Sequence, residues 1–196
     1  LRRQLRIYAE SAENPMGIYF EYLPTGNSIG VNEKESFLLA SLLKVPVVME
    51  IYRKVENGEL NLDQKVFIEE KDIDTGFGDL GKKGVGASLT LREAIKLALI
   101  ESDNAAKNLL QKQFSEGDLE NVYNSLDIPI DEESDGPVVT PKNYSSVLRS
   151  LYLSSFLNKE HSSEILEILT RTVFTDKLPA GIDDDIKVAH KIGVYT

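Results

Sequence analysis

Between positions 42 and 55 the chain carries Leu42, Leu43, Val45, Val47, Val48, Met49, Ile51, Tyr52 and Val55, leaving Glu50, Arg53 and Lys54 as a narrow polar strip. A helix with so little polar surface must lie near the centre of a fold, so the rest of the chain has to supply the layers around it. Its opening turns hold Ser41 and Lys44, three residues apart and therefore on one helical face, with the amine in reach of the hydroxyl. Serine becomes a useful nucleophile only when a neighbour takes its proton, and lysine does this only if burial or a second cation lowers its pKa. The positive end of the helix dipole favours negative charge developing near Ser41. Pro46 removes an early helical hydrogen bond that a purely structural helix keeps. Taken alone the pair is weak: Ser-x-x-Lys arises by chance about once in a chain of ordinary composition and this length, and serine at a helix start is usually a cap.

Around this helix the sequence sets strands at both ends and helices in the middle. Residues 1–13 read as a short helix with Leu5, Tyr8, Ala9 and Ala12 on one face. Residues 16–23, the turn Pro24-Thr25-Gly26-Asn27 and residues 28–31 read as a β-hairpin, and the central helix stops near Asn57-Gly58. A short strand over 65–69 precedes a loop over 71–88 in which Gly76, Gly78 and Gly81 formally match a dinucleotide fingerprint. No helix opens after it, so it is read as a plain loop, with Asp72, Asp74 and Asp79 as solvated charges that miss calcium-loop spacing. Thr90 and Glu93 form a capping box for a helix to Ile100; helical spacing breaks at Glu101-Ser102-Asp103-Asn104 and resumes over 105–114. A short helix over 118–126 leads to an acidic connection over 127–139, and Thr140-Pro141 opens another helix. Apolar residues recur at helical spacing again over 165–173, before a last strand over 186–195.

The expected fold is α/β of the α+β type in a single domain, 1–196. An antiparallel sheet drawn from both chain ends (1–40 and 182–196) carries an inserted all-helical lobe (41–181). A net charge of −10 argues against nucleic acid or an anionic membrane surface as partner. The absence of cysteine excludes disulfides and thiolate metal sites. His161 and His190 are too few for a multi-histidine zinc site and are read as helix surface and sheet packing, so no cofactor or metal is expected.

Three short motifs stand in order: Ser41-x-x-Lys44, Ser102-Asp103-Asn104 and Lys191-Ile192-Gly193. Together with the hairpin before Ser41, the Thr90-Leu91-Arg92-Glu93 helix start and Thr140-Pro141, they make the chain resemble the superfamily of class A β-lactamases and penicillin-binding DD-peptidases along almost its full length. The resemblance implies acyl transfer to Ser41, with Lys44 as acylation base and Ser102 relaying a proton to the leaving nitrogen. Asn104 holds the substrate amide and orients Lys44, and Lys191 supplies positive charge. Ile192, Gly193 and Val194 line the substrate, with the backbone amides of Ser41 and Val194 or a near neighbour as oxyanion hole; Asp103 braces its turn. The implied partner is a peptidoglycan stem peptide or a β-lactam, met outside the cytoplasm. The first residue is Leu1 rather than Met, which is compatible with a leader or anchor removed upstream.

The chain departs from the family pattern at three places. Ile192 stands where the family has a hydroxyl residue. Residues 126–140 lack the Glu-x-x-Leu-Asn pattern that places a deacylating base, and Glu132 and Glu133 are read as solvent-facing. The family also continues beyond the third motif with two strands and a C-terminal helix, so the expectation is that the chain is incomplete or that a second polypeptide supplies those elements. A peptidase-like acyl-enzyme former fits these features first; a β-lactamase with an unusual deacylation route and a non-catalytic binding module are the alternatives.

Overall fold

The computed structural model describes residues 1–129 and 137–194. Helix α1 (Arg2–Ser11) leads into the hairpin of β1 (Ile18–Tyr22) and β2 (Asn27–Val31), paired antiparallel with Ile18 opposite Val31 and Tyr22 opposite Asn27. Only Ala9 of the expected α1 face is buried; Tyr8 is exposed. Strand β3 (Phe37–Leu38) precedes a 3-10 turn over Ala40–Leu43, and α2 runs over Lys44–Glu56. Then follow β4 (Lys65–Phe67), β5 (Ser88–Thr90), α3 (Leu91–Ile100), α4 (Asn104–Gln111), α5 (Asp118–Ser125), β6 (Val138–Val139), α6 (Pro141–Leu153) and α7 (Lys159–Leu169).

Helix α2 is the centre that its sequence requires. Val45, Val47, Val48, Met49, Ile51 and Tyr52 have no exposed surface, and the helix packs against α3, α4 and α5. Each such side chain contributes about 1.5–3 kcal/mol by leaving water. Two of the three polar-strip residues are covered as well. Glu50 is fully buried and accepts two hydrogen bonds from Arg53, at 2.6 Å each, while Lys54 pairs with Asp118 at 2.8 Å. Buried charges survive in a fold when they are paired in this way.

The caps act where the sequence sets them. Thr90 accepts from the Glu93 amide and Glu93 reaches back to the Thr90 amide, so α3 starts on a full capping box. Thr140 accepts from the Asn143 amide with Pro141 in the first turn of α6.

The mixed fold is as expected, and the difference lies in how the strands combine. Among the described residues they form three separate antiparallel pairs, β1 with β2, β3 with β6 and β4 with β5. Residues 186–194 join no ladder, so the sheet uniting both chain ends does not form there; Tyr195 lies outside the described residues. Apolar alternation extends a segment, but a strand needs a neighbour to exchange hydrogen bonds with. The backbone tie of this segment to a helix is His190 N–H to the Leu169 carbonyl, 3.3 Å. His190 is buried, as expected, though against the Val188 and Phe174 carbonyls rather than in a sheet. His161 is half-buried rather than on the helix surface, its ring against Tyr52 and its Nδ1 2.8 Å from Glu56.

Candidate active site

Ser41 sits one turn earlier than the α-helix, within the 3-10 turn, and Lys44 is the first residue of α2. The spacing still works, because residues three apart stack in a 3-10 turn as well. Ala40, just before Ser41, has φ +44°, a left-handed conformation that a residue with a Cβ adopts at a cost of about 1–3 kcal/mol.

Lys44 is 1% exposed, and its Nζ lies 2.7 Å from Ser41 Oγ, 2.7 Å from Asn104 Oδ1, 2.8 Å from the Ser102 carbonyl and 3.2 Å from Ser102 Oγ. As an ammonium it donates to these acceptors. As a neutral amine it turns a lone pair to Ser41, whose hydroxyl then donates, and that is the geometry of proton removal. Ser102 stands at the joint of α3 and α4 with φ +58°, and this strained turn presents both its carbonyl and its hydroxyl to Lys44. Asp103 is fully buried and braces the joint, accepting from the Ala106 amide at 2.7 Å and the Leu80 amide at 2.8 Å.

Lys191 arrives from the C-terminal segment. Its Nζ donates to Ser102 Oγ at 2.8 Å and to the Ile192 carbonyl at 2.9 Å, 6.0 Å from the centre of the Phe174 ring. Gly193 lies flat on the turn that carries Ser41: a Cβ there would stand 3.1 Å from both the Leu39 carbonyl oxygen and Leu42 Cγ. The structure thus joins Ser41, Lys44, Ser102, Asn104 and Lys191 through hydrogen bonds and sets Gly193 against the turn that carries Ser41. Ile192 enters the network through its carbonyl alone, and Val194 follows with much of its surface exposed. Glu132 and Glu133 lie outside the described residues.

The site is locally cationic in a strongly acidic protein. Burial, reinforced by the charge of Lys107 and opposed by Asp103 and Asp74, brings the Lys44 pKa down to about 8. Burial and then the charge of Lys44 bring Lys191 down to about 7. Lys107 is itself lowered by burial, against the pull of Asp74. Among the described residues no three His, Asp or Glu side chains group to hold a metal ion.

The glycine-rich loop is the part of the site that its sequence did not announce. It opens no α-helix, only a 3-10 turn over Leu80–Lys83, but its aspartates are not all solvated. Asp72 is buried and pairs with Lys112 at 3.0 Å, Asp74 is half-buried and accepts from Asn104 Nδ2 at 3.2 Å, and only Asp79 is exposed. The loop needs its glycines because it lies directly on the Ser102 joint. The Asn104 amide donates to the Phe77 carbonyl at 3.0 Å, and a Cβ on Gly78, which has φ +83°, would fall 2.0 Å from Asp103 Oδ2. Gly78→Ala is therefore expected to destabilise the fold by about 2 kcal/mol or more, read by thermal unfolding. An unchanged midpoint would mean that the loop is not seated on Asp103.

Over residues 1–196 the sequence matches the family described as the beta-lactamase enzyme family. The chain belongs to that family. It is similar to the beta-lactamase SME-1 of Serratia marcescens, 27% identical over 115 residues, which cover 59% of this chain and 39% of the relative. It is also similar to beta-lactamase 3 of Bacillus cereus, 25% identical over 193 residues, covering 91% of this chain and 60% of the relative. The chain thus spans between about two-fifths and three-fifths of the length of these curated relatives. Among solved structures PBP-A shares the fold with a TM-score of 0.89 at 22% identity, over 98% of this chain and 76% of that one. A mutant of PBP-A, equally similar, was solved as an acyl-enzyme complex with penicillin G. The fold and the family are those that the three ordered motifs led us to expect.

Proposed function

We propose that this family member is a serine acyl-enzyme former that acts on the D-Ala-D-Ala end of peptidoglycan stem peptides and is acylated by β-lactams. The observation that carries the reading is the buried Lys44 amine, 2.7 Å from Ser41 Oγ and with a pKa brought down to about 8. Ser41 Oγ attacks the carbonyl carbon while its proton passes to Lys44. The carbon–nitrogen bond then breaks, and Ser102, which accepts from Lys191, hands its proton to the leaving nitrogen and takes in its place the one held by Lys44, 3.2 Å away, which restores both groups. Water or an acceptor amine releases the acyl group in the second half-reaction. The reading places the protein outside the cytoplasmic membrane, where peptidoglycan lies. It also includes a strand-bearing segment, from a second polypeptide or elsewhere, covering β1, whose outer edge pairs with no described strand and whose Phe20 and Tyr22 are about half exposed.

The names of the curated relatives favour a second reading, hydrolysis of β-lactams. Its requirement is a placed general base for deacylation, and the Glu-x-x-Leu-Asn pattern that supplies one is absent from 126–140. Intact-mass measurement during incubation with a fluorescent penicillin separates the readings. A persistent adduct that Ser41→Ala abolishes is expected. A transient adduct with released product would give the β-lactamase, and no adduct would leave a binding module.

A further inference from the structure

The sense of one amide decides how this site works. Asn104 faces the Lys44 amine with Oδ1, 2.7 Å away, and faces Asp74 Oδ1 with Nδ2, 3.2 Å away. A flipped amide would aim its donors at an ammonium and its oxygen at a carboxylate, so opposite charges on either side hold it in one sense. Asp74 is fixed in turn, for its Oδ1 also accepts from the Gly76 amide at 2.8 Å, and the backbone of Gly81 lies so close that a Cβ there would be 2.5 Å from the Asp74 carbonyl oxygen. Asn108 Nδ2 on α4 donates to the Asp72 carbonyl at 3.2 Å, two residues before Asp74. The loop therefore carries this carboxylate to the Ser102 joint in a set position.

We propose that Asp74 is a positioning residue for the acylation site. It locks the Asn104 amide so that Oδ1 stays on Lys44 and one Nδ2 hydrogen remains free for the substrate. The proposal rests on the acylation of Ser41 proposed above. Asp74 acts through Asn104 and touches neither the nucleophile nor its base. Its charge has a second effect, since it favours the ammonium form of Lys44 against Lys107 on α4 and Lys191 from the C-terminal segment, with Asp103 acting in the same sense as Asp74.

Two variants separate these effects, because Asp74→Asn keeps an acceptor oxygen and drops the charge, whereas Asp74→Ala removes both. In Asp74→Ala the rate of acylation by penicillin is expected to fall about 10-fold or more through loss of orientation, and Asp74→Asn recovers most of that loss. In both variants the rise of the rate with pH moves to lower pH, because Lys44 loses a neighbouring negative charge. A merely structural role for Asp74 would lower the unfolding temperature without moving that limb. The side-chain amide signals of Asn104, followed by 15N NMR in the full chain without any β-lactam, give an independent reading. An NH2 proton held downfield and protected from exchange with water in the wild type and Asp74→Asn, and released on both counts in Asp74→Ala, supports the lock. Unchanged amide signals in Asp74→Ala overturn it, as does unchanged acylation. Should the wild type take no adduct, the proposed function falls and the amide signals alone decide the role of Asp74.

Discussion

Lys44→Met is expected to slow acylation of Ser41 by penicillin about 10³-fold, the scale of a positioned general base, measured as the second-order rate of adduct formation. The methionine side chain fills a similar volume, so the loss reports the amine rather than a cavity. On its acid side the wild-type rate is expected to rise with pH as Lys44, its pKa lowered to about 8, loses its proton, up to the point where Lys191 is discharged in turn. The same shift has a sign in stability. The pKa is lower in the folded protein than in the unfolded chain, so below about pH 8 both states hold the proton and the fold bears the full cost of a buried cation. Between pH 8 and roughly 10.5 the unfolded chain alone keeps it, and stability rises with pH. Relative to the Met variant, the wild type should therefore gain stability over that interval and not below it, as read by chemical denaturation at a series of pH values. A flat difference would mean that Lys44 titrates as a solvated lysine, and the base would have to be sought elsewhere.

Features written in local chemistry were legible in the sequence. Thr90 with Glu93 and Thr140 with Pro141 fixed two helix starts, and the polar break at residues 101–104 marked the joint where Ser102 and Asn104 meet Lys44. Such signals need only residues within a turn of one another. The 3-10 turn at Ser41 was not legible, because it is set by a left-handed Ala40 and by Gly193 pressing from a distant part of the chain. Nor were β3 and β6, since two residues such as Phe37 and Leu38 carry no alternation to read. The role of Asp74 was hidden for a related reason. Its spacing matches no metal motif, and its meaning comes from Asn104, thirty residues away. The one trace was glycine density, because Gly76, Gly78 and Gly81 mark a backbone that must pass close to something.

Lys191→Met is expected to lower the rate of acylation by penicillin about 100-fold, while its methyl ester loses only a few-fold. The argument starts from two amines that share one hydroxyl: Lys44 and Lys191 both reach Ser102 Oγ, at 3.2 and 2.8 Å. With pKa values brought to about 8 and about 7, they titrate as a pair and hold a single proton between them near neutrality. The productive arrangement has that proton on Lys191, leaving Lys44 free to take the one from Ser41. In the empty site the balance leans the other way, because Lys44 has the higher pKa. A substrate carboxylate beside Lys191 reverses it by favouring the ammonium there, so binding the substrate frees the base. Ile192 offers no hydroxyl to share that carboxylate, so the whole interaction falls on the lysine, and a charge-assisted hydrogen bond of about 1.5–3 kcal/mol corresponds to roughly 10- to 150-fold. The pH profile carries the same logic. For penicillin the rate should pass through a maximum between about pH 7 and 8, because Lys191 must stay charged as Lys44 becomes neutral. The ester, with no carboxylate to hold, should rise to a plateau. Equal losses for acid and ester in Lys191→Met would confine Lys191 to holding Ser102 and remove the substrate from the proton balance.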